Sequence, residues 1–161
     1  MRLYEIETKK EDKGSYAAVK FNPETVKALE AYQYDNNIAN PLSPDEFHST
    51  VMFSKKYIPE FKTLGQIPNW DGDFKEWDIF GSDEENALVL KYDCHELSER
   101  FDQIMKEYDA TWDYRSFTPH ITLSYNVGDL DISQLPPYNG PIVIISEYSN
   151  DLDEGWADER K

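Results

Sequence analysis

The sequence predicts a mixed chain of helices and strands built as two like lobes, and three observations predict it. Stretches of strand-like and helix-like periodicity alternate along the 161 residues. The strand-to-helix passage AAVKFN at 17–22 returns as LVLKYD at 88–93, aligning Lys20 with Lys91, Phe21 with Tyr92 and Asn22 with Asp93. A histidine and a threonine two residues apart occur twice, in FHSTVMFS at 47–54 and in FTPHITLSY at 117–125. Each half therefore reads strand, helix, loop and H-x-T strand, and two copies of one unit imply lobes related by a pseudo-two-fold axis. The expectation is a single domain over 1–161, with the repeat at about 14–54 and 86–125 and an insert at about 55–85.

GSYAAVKF at 14–21 reads as a strand. Asn22 followed by Pro23 reads as a helix start, because Asn caps and Pro suits the first helical position. Val26, Leu29 and Tyr32 continue at helical spacing until DNN at 35–37. After the loop PLSPDE, FHSTVMFS is the next strand. Residues 55–86 carry Pro59, Gly65, Pro68, Gly72 and Gly81 and read as a long irregular segment holding one short strand, KEWDIF. NALVLKYD at 86–93 is a strand; Asp93 and Glu96 resemble a capping box, with Leu97, Phe101, Ile104, Met105 and Tyr108 at helical spacing behind them. YRSFTPHITLSY and PIVIISEY supply two more strands, the second apolar on both faces as a buried strand is. The acidic tail from Asn150 reads as frayed, with Trp156 able to dock.

Composition excludes several functions. The net charge of −16, from 32 acidic and 16 basic residues, argues against duplex DNA and anionic membranes as partners. Small anions remain admissible, since a few donors in a cleft override the far field, while long polyanions are repelled. IVII at 142–145, the longest apolar run, is too short to span a bilayer, and MRLYEIETKKEDKG lacks the apolar segment of a signal peptide. The single cysteine, Cys94, fits a reducing cytoplasm. The expected state is monomeric.

Residues i and i+2 of a strand share a face, so His48 pairs with Thr50 and His120 with Thr122. One such pair is more simply a histidine packed in a sheet; two at matched places in a repeat point to chemistry. Converging on one cleft, the four groups suit cleavage of an RNA-type phosphodiester by internal attack. One neutral imidazole takes the proton of a ribose 2′-hydroxyl, and the other, protonated, donates to the leaving 5′-oxygen. The threonine hydroxyls bond the non-bridging oxygens as charge builds there. Which histidine is the base stays open. No metal or cofactor is expected, because ligands beyond two histidines are not evident at these spacings. His95 has no such partner and reads as a helix-start residue.

HSTV and HITL resemble the paired H-x-[ST] motifs of the 2H phosphoesterase superfamily. Within it, the order GSYAAVKF, NPLSPDEFHSTVMFS, NALVLKYD, FTPHITLSY, YNGPIVIISEY resembles the phage anti-CBASS phosphodiesterases over nearly the whole chain. The resemblance implies an α+β, bilobal fold: two antiparallel-sheet lobes with flanking helices around a central groove. It implies metal-independent hydrolysis of 3′,5′ linkages in cyclic di- and trinucleotide messengers, blocking CBASS immunity in the host cytoplasm. By matching motif positions, His48, Thr50, His120 and Thr122 take the catalytic roles.

A nucleobase needs aromatic faces, which makes Tyr16 and Trp77 candidates for substrate binding beside Trp70. Glu147, after the apolar run, is a candidate acceptor for a base amino or imino group. Arg115 is a weaker candidate for holding phosphate, and Lys20 and Lys91 read as solvated. The alternative readings are a 2H enzyme for 2′,5′-oligonucleotides or RNA 2′,3′-cyclic phosphates, and a non-enzymatic nucleotide sponge or acidic DNA mimic.

Overall fold

The computed structural model describes residues 14–81, 85–112 and 116–151, so Arg115 and Trp156 lie outside the described residues. In chain order the elements are β1 (Ser15–Phe21), α1 (Pro23–Asp35), β2 (Ser49–Ser54), β3 (Gly65–Asp71), β4 (Asp73–Phe80), β5 (Ala87–Asp93), α2 (His95–Tyr108), β6 (His120–Ser124) and β7 (Val143–Asp151). Short 3₁₀ turns occupy Pro44–Glu46 and Ile132–Gln134. The strands form two antiparallel sheets, one in the order β2-β1-β7-β3 and the other β4-β5-β6.

The start of α1 follows from its sequence. The Asn22 side chain accepts the Thr25 N–H at 2.9 Å, and Pro23 takes a position whose N–H has no helical partner. Thr25 then accepts the Val143 N–H at 3.0 Å, tying the helix to β7. The start of α2 differs from the expected capping box. The helix begins at His95 with Cys94 at the cap, one residue beyond Asp93, which the pairing with Asp73 keeps in β5. Leu29 and Tyr32 of α1 and Leu97 and Ile104 of α2 enter one apolar cluster with Val19, Leu88, Leu90, Ile121 and Ile144 from both sheets. Each such side chain contributes roughly 1.5–3 kcal/mol relative to exposure, so the cluster binds the sheets and helices into one body.

About half of the stretch expected to be largely irregular is strand. β3 and β4 are edge strands, one in each sheet. Pro68 is tolerated in β3 because an edge strand needs no partner on its outer side, and the register shifts between Gln66 and Trp70. The polar residues that made this stretch read as loop are the exposed ones of the two edges. The chain crosses between sheets at Gly72, whose N–H donates to the Ile142 carbonyl at 2.7 Å. A β-carbon at Gly72 would stand 2.7 Å from the Tyr92 ring, so that crossing is closed to larger residues.

β7 carries a register shift: Phe21 faces Ile144, Lys20 faces Ser146 and Val19 faces Glu147. The extra residue turns Ile144 and Glu147 to the same, inward side. Glu147 is 3% exposed and is held by Arg100 of α2, with Nε to Oε2 at 2.9 Å and Nη2 to Oε1 at 2.8 Å, and by the Leu64 N–H at 2.9 Å. Arg100 also donates to the Lys62 carbonyl at 3.0 Å and lies over the Phe61 ring. The pair fastens helix, sheet and the 58–64 connection together.

Arg100→Leu leaves the Glu147 carboxylate buried without its counter-charge. The expected loss is about 3–5 kcal/mol, or roughly 10 °C in Tm for a domain of this size, and Arg100→Leu with Glu147→Leu should recover most of it. Thermal melts of the two variants check this.

Candidate active site

β2 and β6 are the edges along which the two sheets meet, and one hydrogen-bond chain joins them. The Ser49 hydroxyl donates to the His120 carbonyl at 2.6 Å and accepts from the Tyr92 hydroxyl at 2.7 Å. Ser49 is the middle residue of the first H-x-T motif. Because it points inward into this seam, its neighbours His48 and Thr50 point to the other side. Across the seam, Ile121 is buried in the core while His120 and Thr122 point outward. His48, Thr50, His120 and Thr122 therefore line one hollow of about 230 Å³, with Ala87, Val89, Phe80 and Tyr125 completing its walls.

Both imidazoles are oriented in the same way. His48 Nδ1 lies 2.8 Å from the Glu46 carbonyl, and His120 Nδ1 lies 3.1 Å from the Thr118 carbonyl; in each case the acceptor is two residues upstream. A carbonyl only accepts, so Nδ1 carries the proton in both rings and Nε2 is the nitrogen whose protonation varies. The local sequence prepares each carbonyl. The Pro44–Glu46 turn is closed by the Ser43 N–H to the Glu46 carboxylate at 3.1 Å and fastened by Lys20 Nζ to the Asp45 carbonyl at 2.8 Å. On the other side, Pro119 restricts Thr118 to extended backbone, and the Pro119 carbonyl accepts the Tyr92 N–H at 3.0 Å. Tyr16 and Thr50 share a hydroxyl–hydroxyl hydrogen bond of 3.1 Å, which sets the Thr50 side chain.

Burial holds the His120 imidazole below its ordinary pKa, and the neighbouring Lys91 ammonium pushes the same way against the Thr118 carbonyl. Lys91 stands opposite His120 in the β5–β6 register. It is not the solvated lysine its sequence implied. Its side chain is 19% exposed and pairs with Asp78 at 2.6 Å and Glu76 at 3.6 Å. The hydrogen bond it donates to Asp78 raises its pKa, so it stays a cation throughout the neutral range. Phe80 meets the His120 ring edge-on at 5.1 Å and lies under Lys91. Among the described residues, no group of three or more His, Cys, Asp or Glu side chains is placed to hold a metal ion.

The three residues expected to bind a base stand elsewhere. Trp77 is on the core face of β4, opposite Leu90, with its ring against Tyr32 and Phe74 and its N–H donated to the Pro136 carbonyl. Glu147 is turned inward onto Arg100 by the β7 register shift. Tyr16 is 1% exposed and stands behind the hollow, bonded to Thr50 and meeting the His48 ring edge-on at 6.5 Å. His95 is exposed at the first turn of α2 beside Glu99. The wall residues Phe80, Ala87, Val89 and Tyr125, and Lys91 beside His120, drew no functional reading from sequence. One signal was present for Val89 and Lys91: they alternate with the core residues Leu88, Leu90 and Tyr92.

Two antiparallel sheets meeting at an edge, each lending an H-x-T pair to one hollow, define a phosphoesterase fold of the 2H type. The backbone agrees: it is similar to E. coli LigT in its apo form, with a TM-score of 0.57 at 15% identity, covering 90% of this chain and 91% of that one. LigT complexed with 3′-AMP gives a TM-score of 0.53 at 14% identity, covering 90% and 92%. Within that class, the chain belongs to the anti-CBASS protein Acb1 family, whose pattern it matches over residues 13–159. It is 34% identical to the anti-CBASS protein Acb1 of Acinetobacter phage Ac42 over 145 residues, covering 90% of this chain and 95% of that protein. The counterpart from Enterobacteria phage T4 is 34% identical over 148 residues, covering 92% and 94%.

Ser49→Ala removes both bonds of the seam and leaves the Tyr92 hydroxyl buried without an acceptor, an expected cost of about 1–3 kcal/mol in denaturant unfolding. Adding Tyr92→Phe removes the stranded hydroxyl and should return part of that loss. If the double variant unfolds more easily than Ser49→Ala, the seam is not held by these hydroxyls.

Proposed function

We propose that this protein is a metal-independent phosphodiesterase that cleaves 3′,5′ linkages of cyclic di- and trinucleotide messengers and so blocks CBASS immunity in the host cytoplasm. Two imidazoles oriented alike, with their Nε2 sides on one small hollow between two threonine hydroxyls, carry this reading. Membership of the anti-CBASS family supplies the substrate class.

His120 is the base. Its lowered pKa leaves Nε2 unprotonated at neutral pH and ready to take the 2′-hydroxyl proton. The 2′-oxygen bonds to phosphorus, the bond from phosphorus to the 5′-oxygen breaks, and His48 gives its proton to that leaving oxygen. Thr50 and Thr122 donate to the two non-bridging oxygens as charge builds on them. Water then opens the 2′,3′-cyclic phosphate with the histidine roles exchanged. Val89 and Ala87 exclude water from one side of the hollow, which strengthens each of these bonds.

The test incubates the protein in EDTA with 3′,3′-cyclic GMP–AMP, a 2′,5′-linked oligoadenylate and a 2′,3′-cyclic mononucleotide, and separates the products. Cleavage of the first is expected, with His48→Ala or His120→Ala lowering turnover about 10²–10⁴-fold while the fold persists. Recovery of all three compounds intact rejects an enzymatic function. The 2′-deoxy analogue should resist cleavage; if it is cut at the normal rate, the nucleophile is water.

The rate of kcat/KM should rise with pH as the base loses its proton. Lys91→Met removes a cation beside His120, makes protonation of the imidazole easier and raises its pKa. The acidic limb of the kcat/KM profile should therefore move to higher pH. An unmoved limb assigns the base to His48.

A further inference from the structure

A second cavity of about 310 Å³ opens from the catalytic hollow and shares Thr50, Phe80 and His120 with it. The rest of its lining includes Phe53, from the end of β2, and Trp112, from the connection after α2. With Phe80, from the end of β4, three aromatic rings from three distant parts of the chain meet there. We infer that this cleft is a nucleobase subsite, taking one base of the substrate by stacking while the adjoining phosphate lies between the H-x-T pairs. The inference rests on the phosphodiesterase reading above and adds to it the residues that hold the nucleoside.

Several features favour a base over another occupant. Phe80 is 38% exposed, one of few large apolar side chains so open among the described residues, and it lines both the cleft and the hollow. An apolar ring left beside a histidine that works on phosphate needs a flat apolar partner, and a base is the part of a nucleotide that offers one. The rings are held from behind. Trp112 donates its N–H to the Ser116 carbonyl at 3.3 Å and meets Phe101 and Phe117 edge-on. Phe101 and Phe117 are themselves stacked at 4.3 Å. Phe53 meets Tyr16 edge-on at 6.2 Å. The charged group on the rim, Lys91, is already committed to Asp78 and Glu76, so recognition falls to the ring faces, with Ser116 and Thr118 lining the cleft beside them. The position is also correct: Thr50 and His120, common to both cavities, are groups that would contact the phosphate, so a base in the cleft is one sugar away from the reacting phosphorus.

The experiment measures KM and kcat of wild type, Trp112→Ala and Trp112→Phe, with melting temperatures, on cyclic di-AMP and on cyclic di-UMP, the latter as substrate or as competitor. Trp112→Ala should raise KM for cyclic di-AMP by about tenfold or more, with a smaller effect on cyclic di-UMP because uracil has the smaller ring face. Trp112→Phe should recover most of the loss. An equal loss on both compounds, or a loss confined to kcat, makes Trp112 a structural residue and overturns the subsite. Wild-type protein that leaves cyclic di-AMP intact instead removes the phosphodiesterase reading beneath it.

Discussion

The geometry of the site depends on one buried chain of hydroxyls. Tyr92 donates to Ser49, and Ser49 donates to the carbonyl of His120. These bonds lie where the two sheets meet, and the groups that make them are within the H-x-T motifs or one strand away. Ser49 stands between His48 and Thr50, so its inward position forces theirs outward. The His120 carbonyl that receives it belongs to the other motif. A single interaction thus fixes the facing of one H-x-T pair and its distance to the other. Gly72 is bound to the same seam, since the ring it must clear is that of Tyr92.

The rest of the fold supplies rigidity around that seam. One apolar cluster runs beneath both sheets and takes side chains from both helices, so neither sheet can shift without disturbing the other. Arg100 and Glu147 add a fully paired ionic link between α2 and β7 on the side away from the hollow. Such a pair contributes little net stability over an apolar replacement, but it penalises any arrangement that separates the two charges. Polar surface that would stiffen a loop in another protein is here spent at the two edge strands, β3 and β4, which keep the sheets from extending further.

Electrostatics inside the groove differ from those of the whole chain. The net charge is −16, yet the group placed opposite His120 is a lysine held cationic by Asp78 and Glu76. That cation and the burial of the ring act together on His120 and give the two histidines different surroundings, although their Nδ1 contacts are alike. A site built from near-copies can in this way give like side chains unlike environments.

The two H-x-T pairs, the strands that bear them and both helices were legible from period and motif, because a strand's alternation and a helix's spacing are local properties. The face each residue would occupy was not. Trp77 and Glu147 are chemically suited to a base, but register with Leu90 turns one into the core and the bulge at Ile144–Ser146 turns the other onto Arg100. β3 was hidden by Pro68, which an edge strand accepts. The aromatic cleft of Phe53, Phe80 and Trp112 left no trace in the sequence, since its members come from separate elements. What the sequence alone determined is the identity and pairing of the side chains that meet at the hollow. Which side of each sheet faces the hollow, and what else stands there, was decided by register shifts and by the contact between β2 and β6, long-range relations that no local pattern encodes.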